Sequence, residues 1–253
     1  MLEILEKTVL PERKKIKQGR EKELWWLFAR YLKKIREATE NLNRVLVRSL
    51  VSENHMLAFV DPRQILSCKL AIFAFENFYE FALLQSRIHE IWLRRYATTL
   101  RTDISYTVSN CFQTFPFPQT CTELNKANAE SAGERFYEHR QNIQLNRHLG
   151  LTKTYNLFNN SDCRDIDIQE MREFQSDMDR SITSCYGWDD IDLQHDFYPN
   201  DRKKIRFMPS PAAQREIFTR LVALNQEIAA QEAAQGLVVE AGEEDEMDED
   251  TEA

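Results

Sequence analysis

The stretch from Phe73 to Pro118 does most to limit what this chain can fold into. It opens on the end of an apolar, β-prone run, Leu70 to Phe75, and then changes period. Apolar residues recur at Phe78, Phe81, Ala82, Ile88 and Trp92, with Tyr96 one turn on, which is the spacing of a helix with a wide buried face. Asn77 with Glu80 three residues later reads as a capping box at its start. Arg87, Arg94, Arg95 and Arg101 interleave with the apolar set, and His89 is expected to be a hydrogen-bonded structural histidine. A short β-like run, Ile104 to Val108, follows. Thr114-Phe-Pro-Phe-Pro118 closes the stretch, because proline fixes φ and cannot donate to a sheet.

Upstream, a helical pattern runs from Arg20 to about Thr39, with Leu24, Trp25, Phe28, Tyr31, Leu32 and Ile35 on one side. Trp25 and Trp26 are adjacent and cannot share a helix face; one is expected to pack inward and the other to border a groove. Arg44 to Val51 and His55 to Val60 read as a hairpin around Ser52 to Asn54, and Ile65 to Phe75 offers further strand. Downstream, Gln119 to Ala132 is polar and turn-like at first, and Glu134 to Leu149 is helical. A stronger helix starts at Asp167 and carries Ile168, Met171, Phe174, Met178, Ile182 and Tyr186. Asp167 and Glu170 look like its capping box and Gly187 its C-terminal glycine. Ser210-Pro211 reads as the N-cap and first-turn proline of a last helix. The expected architecture is α+β. A linker or arm (1–19) precedes a domain with a small mixed sheet and packed helices (20–118), then a helical segment (119–235) and a disordered acidic tail (236–253).

The net charge of −8 conceals a division. The last 17 residues hold nine acidic side chains and no Lys or Arg. Residues 1–101 hold 19 Lys and Arg against 12 Asp and Glu, whereas residues 102–236 hold 14 against 20. A basic half joined to an acidic half suggests one surface for a polyanion and another facing elsewhere. Six glycines in 253 residues, with neither G-x-G-x-x-G nor a P-loop, argue against a nucleotide-binding α/β domain. Five cysteines without a C-x-x-C pair read as reduced thiols, and no apolar run reaches membrane-spanning length. A cytoplasmic protein is expected. His139 and His148 lack metal-ligand spacing, and Asp189-Asp-Ile-Asp192 after Gly187-Trp188 reads as a solvated loop. No catalytic, cofactor-binding or metal residue is assigned.

An ordered set of motifs then carries a resemblance: Phe75-Glu-Asn-Phe-Tyr-Glu-Phe-Ala-Leu-Leu-Gln-Ser86, His89-Glu-Ile-Trp92, and Asp103 through the Phe-Pro-Phe-Pro at 115–118. Gly133-Glu-Arg-Phe-Tyr-Glu-His-Arg140, Gly150-Leu-Thr-Lys-Thr-Tyr-Asn156, Met178-Asp-Arg-Ser-Ile182 and Tyr186-Gly-Trp-Asp-Asp190 follow in the same order. Together they resemble the C-terminal target-recognition and helical region of MmeI-like, type IIG-related bacterial adenine-specific DNA methyltransferases of restriction–modification and phage defence. The resemblance covers nearly all of residues 10–230. It implies recognition of double-stranded DNA by a C-terminal fragment or split subunit, inactive alone. In that family the S-adenosylmethionine-binding methyltransferase domain with its Asn-Pro-Pro-aromatic clamp lies N-terminal to this region. The resemblance therefore implies a catalytic portion either preceding it in a longer protein or carried by a separate chain; neither motif occurs here. Candidate DNA contacts are Arg44, Arg48, Lys69, Arg87, Arg94, Arg95, Arg101 and Lys153. An inactive remnant and a helical protein-interaction module that does not bind DNA stay open beside this reading.

Overall fold

The computed structural model describes residues 2–17, 19–26, 33–100, 103–200 and 203–235. The first half contains α1 (Leu2–Thr8), α2 (Leu10–Arg13), α3 (Arg20–Glu23), α4 (Lys33–Thr39), β1 (Val45–Ser49), β2 (Val51–Ser52), β3 (Ala58–Val60), β4 (Leu70–Phe73), α5 (Phe78–Gln85), α6 (Arg87–Tyr96), β5 (Thr98–Leu100), β6 (Asp103–Ser105) and α7 (Val108–Cys111). The second half contains α8 (Glu123–Arg147), α9 (Leu151–Phe158), α10 (Ile166–Cys185), β7 (Asp196–Pro199), β8 (Ile205–Met208) and α11 (Pro211–Ala234).

The architecture is α+β, with three small antiparallel sheets among the described residues where one mixed sheet was expected. β1 lies between β3 and β4, with Leu46 opposite Phe59 on one side and Phe73 on the other. Val45, Leu46, Val47 and Arg48 are all buried. A strand covered on both faces gives a continuous apolar run instead of alternation. At Leu50 the chain changes sheets: the Leu50 N–H donates to the Lys69 carbonyl at 2.9 Å, and its own carbonyl accepts from the Tyr106 N–H at 2.7 Å. β2 then pairs with β6 in the second sheet.

The helix expected after Asn77 is two helices. Asn77 is the N-cap of α5, but its side chain makes no cap hydrogen bond. Ser86 is extended (φ −61°, ψ 158°), ends α5 and starts α6. Its hydroxyl donates to the Leu83 carbonyl at 2.7 Å and accepts from the His89 N–H at 3.3 Å, and the buried Asp179 carboxylate accepts the Arg87 N–H at 2.8 Å. The break is thus satisfied from both sides. Within the expected arm, α1 and α2 form. Of the helix expected over 20–39, α3 and α4 are present and 27–32 lie outside the described residues. Trp26 is exposed and Trp25 half-buried, so neither packs into the core.

Helix α8 starts eleven residues earlier than its apolar pattern suggests, at Glu123, because Thr122 accepts from the Asn125 N–H at 3.2 Å. Its early turns pack through small residues, Ala129, Ala132 and Gly133, which leave little hydrophobic signal. A Cβ on Gly133 would lie 2.7 Å from the Phe78 carbonyl oxygen and 2.9 Å from the Ala82 Cβ, so α5 and α8 approach backbone to backbone there. An aromatic cluster surrounds the contact, with Phe81 and Tyr137 ring centroids 5.1 Å apart and Phe59 and Phe78 5.4 Å apart. Gly187 at φ +71° ends α10, and Ser210 caps α11 through the Ala213 N–H, with Pro211 in the first turn, both as expected. The Asp167–Glu170 capping box does not form. α10 starts at Ile166, and Asp167 is bonded to Arg147 across to α8 instead. The hairpin β7–β8 has no counterpart in the sequence reading. One hydrophobic core runs from Leu46 to Leu221 through both halves of the chain. Among the described residues no helix is long and apolar enough to cross a membrane.

Candidate nucleic-acid interface

Helix α6 is buried from Arg87 to Leu93, charged residues included. Arg87, Glu90 and Arg94 share one face at i, i+3 and i+7. Glu90 binds Arg87 through one carboxylate oxygen and Arg94 through the other, the latter at 2.6 and 2.9 Å. Burial alone would raise the Glu90 pKa, but Arg87 and Arg94 beside it hold it well below the ordinary range. Under this helix His55 and His89 face each other, ring centroids 5.5 Å apart. His55 Nε2 lies 2.5 Å from the Leu84 carbonyl and His89 Nε2 lies 3.2 Å from the Tyr106 hydroxyl. His89 is therefore the hydrogen-bonded structural histidine expected.

Arg48 projects into the same interior. Its guanidinium lies over the Tyr106 ring at 4.1 Å, and among the described residues none of its three nitrogens has a hydrogen-bond partner. Burial pulls its pKa down to about 10. A second buried carboxylate, Asp179, accepts from His195 Nε2 at 2.8 Å and from Gln175 at 3.0 Å.

These contacts sort the candidate cations. Arg48 and Arg87 lie inside the protein, 2 % and 3 % exposed, and reach no surface. Arg44 is half-buried: its Nε donates to the Glu76 carbonyl at 2.8 Å and its guanidinium stacks 4.0 Å from Phe59 and 4.2 Å from Phe78. The shallow cleft of about 430 Å³ beside it carries Asp61, Glu134 and Glu138, an acidic rim. Lys69 and Lys153 are exposed and line neither this cleft nor the one between α6 and α11, and Arg101 lies outside the described residues. Arg94 and Arg95 remain, and the structure brings them together at one opening.

That opening is a cleft of about 440 Å³ between α6 and α11, with Asn200 and Met208 of the β7–β8 hairpin at its side. Arg94 reaches it from Glu90; Arg95 is exposed, its guanidinium 5.2 Å from the Phe218 ring. Arg215, from the first turns of α11, lines the opposite wall. On the same hairpin, Lys204 and Arg206 both bind Glu53, at 2.8 and 2.5 Å. Arg215 and this hairpin were absent from the sequence-derived candidates. Their signal is local: Asn200 to Arg215 contains five Lys and Arg against one Asp, and the acidic average of residues 102–236 conceals it.

Among the described residues no group of three His, Cys, Asp or Glu could hold a metal ion. An S-adenosylmethionine site does not fit the glycines among the described residues either. Gly19 precedes the four-residue α3 with only α1 and α2 before it, Gly133 is inside α8 against α5, Gly150 caps α9 and Gly187 ends α10, so none of these four forms a loop between a strand and a helix.

Three similarities bear on this arrangement. Residues 8–119 match the family model described as MmeI, target recognition domain. A 93-residue stretch is 31 % identical to DNA methyltransferase A of Bacillus subtilis (strain 168), covering 35 % of this chain and 11 % of that protein. The fold matches the solved structure of the Type IIL restriction-modification enzyme MmeI in complex with DNA, with a TM-score of 0.58, at 18 % identity over 76 % of this chain and 22 % of that one. The chain thus spans about a tenth of the curated relative it matches and about a fifth of the solved one. The fold likeness extends well past residue 119, as the continuous core requires. Residues 8–119 are thus similar to the MmeI target recognition domain family.

Proposed function

We propose that this chain recognises a specific sequence in double-stranded DNA on behalf of a restriction–modification methyltransferase, and that the modified base is adenine, methylated at N6. The observation that carries this is the family match over residues 8–119. The fold likeness to an enzyme solved with DNA supports it, as does the cleft where Arg94, Arg95 and Arg215 converge. The choice of adenine rests on the ordered motif set. The chemistry falls to a catalytic portion that binds S-adenosylmethionine, either continuous with this region or a separate chain, since the glycines among the described residues do not form a site for it. In a domain of this kind phosphate contacts set the register, and side chains at base edges select the sequence.

Selection of bound duplexes from a random pool, using the whole chain, tests the proposal. Enrichment of one short motif containing adenine is expected, with affinity falling log-linearly as salt rises. Binding without enrichment would refute sequence recognition, and no binding at about 50 mM salt would refute DNA as the ligand. Co-elution with the catalytic portion of a relative tests docking on such a portion, and independent elution counts against it.

A further inference from the structure

We infer that the cleft between α6 and α11 seats the phosphate backbone of duplex DNA, so that the DNA-binding surface is composite and continues past the recognition-domain segment. The inference rests on the proposed function and names the site through which it acts. The family match ends at residue 119, yet the opposite wall of the cleft is built from Asn200, Met208, Gln214 and Arg215. Two guanidinium groups face across it, Arg95 from the matched segment and Arg215 from beyond it. Among the described residues neither is paired with a carboxylate. Arg95 lies over the Phe218 ring of the wall, and the carboxylate nearest in sequence to Arg215, Glu216, is taken by Arg220 at 2.8 Å. Both are exposed, so the cations are available without unfolding anything.

Behind the cleft the interior adds to the same sign. Arg48, Arg87 and Arg94 are set against two buried carboxylates, Glu90 and Asp179. The floor is mixed, with Ile91, Met208 and Phe218 beside the polar groups, which suits the stem and planar head of an arginine more than a deep polar pocket. A groove of one charge sign with low-dielectric walls concentrates a polyanion. Arginine forks match the geometry of a phosphodiester, and contacts of this kind carry position and not sequence. The β7–β8 hairpin borders one side through Asn200 and Met208, while its Lys204 and Arg206 are paired with Glu53. Averaged over residues 102–236 the second half is acidic and would be expected to turn towards protein. The cleft nonetheless places Arg215 of that half on the same opening as Arg94 and Arg95.

Salt dependence of duplex binding by the whole chain separates the outcomes. Each phosphate contact contributes about −0.9 to the log–log slope. The double variant R95A/R215A should therefore lose about 1.8 from the slope, or roughly 10-fold of the affinity change between about 50 and 200 mM salt. R135A/R180A, which removes two arginines beside Asp177 on α8 and α10, is the control for net charge and should leave the slope unchanged. R95Q/R215Q repeats the measurement without opening the wall as far, and urea melts verify that each variant folds. Equal slopes in R95A/R215A and wild type, or equal losses in R95A/R215A and R135A/R180A, would overturn the cleft while leaving DNA recognition standing. Wild type that fails to bind duplex at about 50 mM salt would overturn both.

Discussion

The pair His55 and His89 should make this protein sensitive to acid over a window that no carboxylate reaches. Both rings are buried, 1 % exposed each. Burial, then the charge of Arg48, pulls the His55 pKa down to about 3, with Glu90 opposing. Burial, then His55 and Arg48, holds His89 well below its ordinary value, again against Glu90. In the unfolded chain both titrate near about 6.5. Below that pH the unfolded state binds protons that the folded state refuses, so stability falls as pH falls and levels off only near the folded pKa values. Each histidine contributes up to about 1.4 kcal/mol per pH unit, so the pair costs roughly 5 kcal/mol between about pH 7.5 and 4.5. That is as large as the whole stability of many domains. Glu53 and Glu90, whose folded pKa values are depressed, add their own loss only below about pH 4.5, where the unfolded carboxylates begin to protonate. Urea unfolding followed by circular dichroism across this range gives the slope. H55N/H89Q keeps amide groups near the Leu84 carbonyl and the Tyr106 hydroxyl but cannot titrate, and its stability should be nearly flat over the same window. A wild-type curve as flat as the variant's would refute the reasoning, as would two curves of equal slope.

Other perturbations follow from the same interior. E90Q leaves Arg87 and Arg94 without their shared counter-charge and should cost about 3–5 kcal/mol in urea melts. R48M removes a buried guanidinium whose nitrogens have no partner among the described residues, and should raise stability by about 1 kcal/mol or more despite losing the Tyr106 stack. G133A gains about 1 kcal/mol of helix propensity but drives a Cβ to 2.7 Å from the Phe78 carbonyl. A net loss of about 1–3 kcal/mol is expected in chemical melts.

What the sequence discloses here is what single residues decide stereochemically. Gly187 marks the end of α10 because its φ is +71°, and Ser210-Pro211 marks the start of α11 because hydroxyl and ring both suit a first turn. The two capping boxes were illegible for the opposite reason. A side chain that suits a cap can bond elsewhere: Asp167, read as the cap residue, lies inside α10 and bonds Arg147, twenty residues away in sequence, and the Asn77 side chain makes no cap bond to α5. The early turns of α8 were lost because Ala129, Ala132 and Gly133 pack by being small. The break at Ser86 draws on Asp179, more than ninety residues away, and its one local sign is the Ser86 hydroxyl that caps α6 through the His89 N–H, inside an otherwise continuous helical period.

The charged residues were harder to place than the apolar ones, and the reason bears on function. An arginine in sequence reads as solvated, because burying a charge without a partner is costly. In Arg44 to Val51 that expectation fails because β1 is covered on both faces, so alternation offers Arg48 no exit to water. In α6 it fails because Glu90 sits three residues after Arg87 and four before Arg94, which lets one carboxylate hold both arginines in the interior. The spacing that buries Arg87 leaves Arg94 at the rim and turns Arg95 outward to the cleft. Glu90 therefore fixes the helix face from which the cationic wall projects, and through Arg94 it reaches the wall itself. Loss of Glu90 should weaken duplex binding as well as folding even though it subtracts a negative charge, because an unanchored α6 would cost more in positioning than the added positive charge returns.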